Sequence, residues 1–174
     1  QAWSTAARLR TLPIPTIQVL TGACLAYSVM GSLDWLMLFF TWLVSIFITM
    51  GTNLINDVID FEKGADQPKR VGFLKVISAG LIPKEHVRFA GYACLAMVVL
   101  CAIPLALHSG WTLFGVILLS VVCSYCYTGG PYPISYLGLS ELFIIVFYGG
   151  VCVAATYFIQ TGSVTVQAML CALQ

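Results

Sequence analysis

The stretch NLINDVIDFEKGAD, Asn53–Asp66, holds four of the seven acidic residues of this 174-residue chain. The chain as a whole is 60% hydrophobic and 9% charged, with a mean hydropathy of +0.95. Soluble domains are about 25% charged, so these few charges could not cover a water-facing surface. The composition therefore predicts an integral membrane protein that concentrates negative charge at one place.

Long apolar runs follow one another on both sides of this stretch, and a membrane-spanning helix needs about 20 such residues. They predict an all-α helical bundle with five complete spans and the start of a sixth. The expected spans are about 12–33, 35–57, 88–107, 111–127 and 139–159. Because the last apolar run is too short to cross a bilayer, we expect the chain to be the N-terminal part of a longer membrane domain.

All eight Lys and Arg residues lie either before the first expected span or between the second span and the first residue of the third, Arg88. Two spans separate these regions, so both lie on the same face of the membrane. The excess of positive charge predicts that this face is cytoplasmic. The loop expected at about 58–87 would therefore carry the aspartates on the cytoplasmic side.

The polar residues Asn53, Asn56, Asp57 and Asp60 share one face of a helix, since helix neighbours are three or four residues apart. Carboxylates near a helix C-terminus oppose the helix dipole by roughly 0.3–1 kcal/mol each when exposed, and neighbouring carboxylates repel each other. A bound cation would reverse both effects. Oxygen ligands suit Mg²⁺, which also takes water and substrate phosphate. The pattern favours a magnesium–diphosphate site over a solvated helix end.

The residues around this polar face are consistent with a lipid diphosphate bound at the mouth of an apolar bundle. Lys63, Arg70 and Lys75 could contact the phosphates, although the positive-inside bias explains basic residues in this loop equally well. Mg²⁺ would act as a Lewis acid on the departing diphosphate. Aromatic rings stabilise cations, and tyrosines including Tyr127 and Tyr132 cluster in the next loop on the same side, although any single aromatic residue there is more often an ordinary interfacial anchor.

Three segments of the chain resemble the UbiA superfamily of intramembrane prenyltransferases, and most closely its menaquinone branch. They are NLINDVIDFEKGAD, RLRTLPIP (8–15) and YTGGPYPISYLGLSELFIIVFYGG (127–150). The resemblance implies a helical bundle around a central cavity, in a bacterial inner membrane. It implies Mg²⁺-dependent transfer of a polyprenyl group from its diphosphate to 1,4-dihydroxy-2-naphthoate, with loss of CO₂.

The resemblance also implies roles for individual residues. The implied catalytic residues are Asn56, Asp57 and Asp60, and the implied metal ligands are Asp57, Asp60 and Asp66. The implied diphosphate contacts are Asn53, Lys63, Arg70 and Lys75. Tyr127, Tyr132 and Glu141 would contact the aromatic substrate or order the loop around it.

Two positions depart from the family pattern. Lys75 stands where the family has Arg, which keeps the charge but loses the bidentate phosphate contact. Ser140 stands where the family has Gly. We expect the second aspartate-rich motif of the family beyond residue 174.

The sequence leaves three alternative functions open. The first is prenyl transfer to another aromatic acceptor, such as 4-hydroxybenzoate. An ion-coupled transporter is a second, although transporters place such acids near the membrane midplane. A non-catalytic membrane subunit is a third.

Overall fold

The computed structural model of the protein describes residues 2–64, 75–127, 129, 145–166 and 170. Within these ranges the chain is helical and contains no strand, which confirms the all-helical prediction there. The elements are α1 (Ala2–Ala6), a 3-10 turn (Leu9–Thr11), α2 (Pro13–Met30), α3 (Trp35–Glu62), α4 (Lys84–Ser109), α5 (Trp111–Cys126) and α6 (Val153–Thr161), the last preceded by a π-helix over Ile145–Cys152.

Among the described residues, three helical segments are long and apolar enough to cross a membrane: Leu9–Met30, Trp35–Glu62 and Lys84–Ser109. Two shorter apolar helices, Trp111–Cys126 and Ile145–Thr161, lie where the fourth and fifth spans are expected. The 16 residues of α5 extend about 24 Å, less than the roughly 30 Å of a bilayer core. Five complete spans therefore stay a prediction.

The helices on either side of the expected loop at 58–87 extend beyond the expected membrane spans. Helix α3 continues past the expected span end at Asp57 to Glu62, and α4 begins at Lys84, four residues before the expected span start at 88. The chain leaves α3 at Gly64, whose φ of +64° suits glycine. Hydropathy marks where apolar residues end, whereas a helix continues through polar turns until a residue such as Gly64 stops it.

Helix α3 lies at the centre of the bundle and contacts α2, α4, α5 and α6. Glycines let the helices approach closely, as is common in membrane proteins. A Cβ added at Gly51 would lie 2.8 Å from Leu95 Cδ2 on α4, and one at Gly22 would lie 2.7 Å from the Val153 carbonyl oxygen on α6.

The segment from Lys75 to the start of α4 folds back onto the end of α3. It makes one helical turn, in which Ala79 N–H donates to Lys75 O at 3.0 Å, and leaves it at Gly80, with φ +68°. Val76 and Ile77 are buried in this turn. The apolar cluster that they join contains Ala6, Leu54, Val58, Ile82 and Val87. This cluster fixes the backbone of Lys75 beside the polar end of α3.

Hydrogen bonds at the opposite end of the bundle fix the start of α3. The Asp34 carboxylate accepts from the backbone N–H groups of Leu36 and Met37, both at 3.0 Å. The Gln160 amide, one residue before the end of α6, bonds both to the N–H and to the carbonyl of Asp34, at 2.8 and 3.1 Å. The cap thus also links α3 to α6.

Candidate active site at the mouth of a membrane cavity

A cavity of about 320 Å³ lies between the helices. Its lining follows α3 from Thr41 to Asn56, about 22 Å at a rise of about 1.5 Å per residue. Polar side chains surround the end near Asn56. They are Arg8, Thr11, Asn53, Asn56 and Tyr127. Apolar side chains from α4, α5 and α6 surround the other end. They are Leu105, Leu113, Ile117 and Ile159. The cavity is therefore polar at one end and apolar at the other.

Small hydroxyl residues form the α3 wall of the cavity. Thr41, Ser45, Thr49 and Thr52 each donate to a backbone carbonyl of the preceding turn, at 2.6–2.8 Å. Ser124 of α5 also contacts the Thr52 hydroxyl at 2.7 Å. Because these hydroxyls have partners inside the protein, the wall can contact an apolar chain without leaving donors unsatisfied. The sequence analysis missed this wall, although its spacing along an apolar span is a visible signal.

Three predicted site residues of α3 converge on the side chain of Lys75. The Lys75 Nζ lies 2.7 Å from Asp60 Oδ2, 3.3 Å from Asn56 Oδ1 and 3.5 Å from Asp57 Oδ1. Asn56 therefore belongs both to this cluster and to the cavity lining. The cluster lies at the mouth of the cavity.

Burial makes the charges of this cluster interdependent. Asp57 and Asp60 are only 3% and 7% exposed, and the Lys75 side chain is 16% exposed. A carboxylate removed from water is costly unless a cation and hydrogen bonds compensate it. The two carboxylates therefore need positive charge nearby, and in this structure Lys75 supplies at least part of it.

The fourth polar residue of the α3 face, Asn53, faces the N-terminal segment. Its Nδ2 donates weakly to Ala7 O at 3.4 Å and to Thr11 Oγ1 at 3.3 Å. Arg8, between these two partners, has φ 50° and ψ 52°, a left-handed conformation that is uncommon for residues other than glycine. The sequence analysis did not assign Arg8 to the site, although a cation directly before the first span was a signal.

The remaining predicted site residues divide into two groups. Tyr127 lines the mouth of the cavity, and Lys63 is an exposed residue at the C-cap of α3. Asp66, Arg70, Tyr132 and Glu141 lie outside the described residues, so their roles stay predictions.

The donor set of the cluster fits a divalent cation of the magnesium type. Two carboxylates and one amide oxygen surround the Lys75 ammonium group, and Mg²⁺ prefers oxygen ligands from one or two carboxylates plus water and phosphate. Among the described residues, no group of three or more His, Cys, Asp or Glu side chains is arranged to hold a metal ion. A metal held by Asp57 and Asp60 would therefore need Asn56, water or substrate to complete its coordination.

The fold and the site together define an all-helical membrane protein whose apolar cavity opens beside buried carboxylates. The family model of the UbiA prenyltransferases matches residues 16–174. The chain belongs to this family.

Several curated relatives are similar over nearly the whole chain. The 1,4-dihydroxy-2-naphthoate octaprenyltransferase of Bacillus subtilis is 36% identical over 94% of this chain and 52% of its own length. The enzyme of the same name from Mycobacterium tuberculosis is 32% identical, over 91% and 53%. The 2-carboxy-1,4-naphthoquinone phytyltransferase of Synechocystis is 25% identical, over 92% and 52%. The chain thus spans about half the length of these relatives.

Proposed function

We propose that this protein transfers a polyprenyl group from an allylic diphosphate to an aromatic acceptor, with Mg²⁺ as cofactor. One observation carries the proposal: Asn56 lines a cavity of about 320 Å³ and also joins the carboxylates of Asp57 and Asp60 around one cation. A diphosphate with an apolar tail has the same division into a charged head and an apolar chain.

The polar end of the cavity would bind the diphosphate head. Asp57 and Asp60, with Asn56, would hold Mg²⁺, which as a Lewis acid supplies charge stabilisation to the departing diphosphate. Asp66 would be a further ligand from the rest of the motif. Arg8, which lines the mouth, carries charge of the sign that a diphosphate attracts. Asn53, Lys63, Arg70 and Lys75 are further candidates to contact its oxygens.

The apolar end of the cavity would bind the prenyl chain and keep water from the reacting carbon. Transfer breaks the allylic C–O bond, releases diphosphate and forms a C–C bond to the aromatic ring. Tyr127 lines the mouth, where its ring could stabilise the positive charge that develops on the allyl group. Tyr132 and Glu141 are candidate contacts of the aromatic acceptor or of its loop.

The names of the relatives favour a naphthoate acceptor. Two of them are named for transfer to 1,4-dihydroxy-2-naphthoate and one for a carboxynaphthoquinone. On such an acceptor the ring carboxyl group leaves as CO₂ and the prenyl group takes its place, which is the step expected in menaquinone biosynthesis. The basic residues at this end of the bundle favour a cytoplasmic site in a bacterial inner membrane.

The test is prenyl transfer by membranes that contain the protein expressed from its complete reading frame. We expect product from octaprenyl diphosphate and 1,4-dihydroxy-2-naphthoate with Mg²⁺ and none with EDTA. Asp57→Asn should lower the rate by about 100-fold or more, the usual effect of removing a group that stabilises developing charge. Asp34→Asn makes the same change at the opposite end and should keep wild-type activity.

Two results would change the proposal. Transfer to 4-hydroxybenzoate but not to the naphthoate would retain the chemistry and replace the acceptor. A folded wild-type protein that transfers to neither acceptor, or an Asp57→Asn variant with full activity, would refute the proposed site and return ion-coupled transport to consideration.

A further inference from the structure

We infer that Lys75 is a built-in counter-ion of the metal site, which the divalent cation must displace and which then turns to the diphosphate. The inference rests on the proposed function and adds a positioning role for Lys75: it couples metal binding to diphosphate binding. Lys75 was predicted as a phosphate contact, but in this structure its ammonium group bonds to the oxygens that would hold the metal.

The geometry shows that the ammonium group and a metal ion compete for the same oxygens. The Lys75 Nζ is 2.7 Å from Asp60 Oδ2 and also bonds to Asn56 Oδ1 at 3.3 Å. Mg²⁺ binds oxygen at about 2.0–2.1 Å, so it would take the place of the ammonium group beside these atoms. Two cations sharing one carboxylate oxygen would also repel each other. A metal ion bound to these same oxygens would therefore displace the Lys75 side chain.

The structure holds the backbone of Lys75 while leaving its side chain able to turn. Val76 and Ile77, the next two residues, are 0% and 7% exposed and anchor the turn in the apolar cluster beneath α3. The lysine itself has a flexible four-carbon stem with a compact charge at its end. A moderate rotation of that stem would carry the ammonium group away from Asp60 and Asp57 without unfolding the turn.

A diphosphate at the cavity mouth would provide the displaced ammonium group with a new anionic partner. In its absence, a metal ion gains the carboxylates but leaves the lysine charge with poorer compensation. Metal and diphosphate should therefore each strengthen the binding of the other, and this coupling is reciprocal by thermodynamic necessity. The same contact would keep the buried carboxylates compensated before substrate arrives.

The decisive experiment measures Mn²⁺ binding by electron paramagnetic resonance on the purified protein in detergent, without any substrate. Lys75→Met should bind Mn²⁺ roughly tenfold more tightly than wild type, within the range of about 5–150-fold typical of coupled sites. Lys75→Arg keeps the charge and should stay close to wild type. Lys84→Met removes the same charge from an exposed cluster with Glu62 and Glu85 and should also leave Mn²⁺ affinity unchanged.

A second measurement adds inorganic diphosphate to the same samples. Diphosphate should strengthen Mn²⁺ retention by the wild type more than by Lys75→Met. Complexes of Mn²⁺ with diphosphate in solution are common to both samples and cancel in the comparison. If Lys75→Met does not fold, Lys75→Gln takes its place, since its amide can still donate to Asn56 and Asp60.

The possible outcomes separate this inference from the proposed function. Unchanged or weaker Mn²⁺ binding in the folded Lys75 variants would overturn the counter-ion role and leave Lys75 as a phosphate contact or a structural clamp. Asp60→Asn tests the metal site itself and should lose Mn²⁺ binding. If Asp60→Asn binds Mn²⁺ like wild type, the proposed metal site fails, whatever the Lys75 variants show.

Discussion

Replacing Gly22 by alanine tests how tightly α2 and α6 pack beside the cavity. The added Cβ would lie 2.7 Å from the Val153 carbonyl oxygen and 2.7 Å from Thr156 Cβ, whereas ordinary contacts begin near 3.4 Å. A backbone oxygen cannot rotate away as the end of a side chain can. The two helices would therefore have to separate by several tenths of an ångström, next to a cavity wall that includes Cys152 and Ala155 of the same segment.

The size of the effect follows from two opposing terms. Overpacking a tight contact costs about 1–3 kcal/mol, and alanine regains at most about 1 kcal/mol relative to glycine inside a helix. We expect Gly22→Ala to lower the free energy of unfolding by about 1–2 kcal/mol. The measurement is unfolding by sodium dodecyl sulfate in mixed micelles, followed by the circular dichroism of the helices.

Two other glycines supply matched controls. At Gly115 on α5, the Cβ that alanine would add has no heavy atom of the described residues within 4 Å apart from its chain neighbours and its own helix backbone, so Gly115→Ala should be neutral or stabilising. At Gly51 the nearest atom is the end of the Leu95 side chain, at 2.8 Å. That side chain can move, so the cost of Gly51→Ala should be intermediate. If Gly22→Ala and Gly115→Ala unfold alike, the close α2–α6 contact described here is wrong.

Two further predictions concern the cap of α3 and the depth of the cavity. Asp34→Ala removes two capping hydrogen bonds and should lower the free energy of unfolding by about 1 kcal/mol; Asp34→Asn keeps a capping oxygen and should recover most of this in the same unfolding assay. Ser45→Phe places a ring in the cavity wall and should slow transfer from octaprenyl diphosphate more than from geranyl diphosphate. Val29→Phe, on an exposed face of α2, should affect neither rate, and equal slowing of both substrates by Ser45→Phe would show that the chain does not occupy this part of the cavity.

Part of the candidate site could be predicted because its signals are local in sequence. The spacing of Asn53, Asn56, Asp57 and Asp60 places them on one helical face wherever that helix lies. Charge in so apolar a chain is itself informative, because each charged group must find water or a partner. The expected span ends at Asp57, where the apolar run ends, whereas α3 itself continues for five more residues, including Asp60, to Glu62.

The sequence by itself determined the class of the protein, because a chain with 60% hydrophobic and 9% charged residues must lie in a membrane. It also located the acidic face of α3. Only the tertiary structure decided what that face meets. Lys75 contacts Asp60, 15 residues away in sequence, because Val76 and Ile77 are buried against α3. Likewise Asn56 comes to lie at the mouth of the cavity only when α2, α5 and the segment around α6 surround it. Local spacing fixes which side chains share a helix face, whereas contacts between distant residues depend on how complete apolar surfaces pack together.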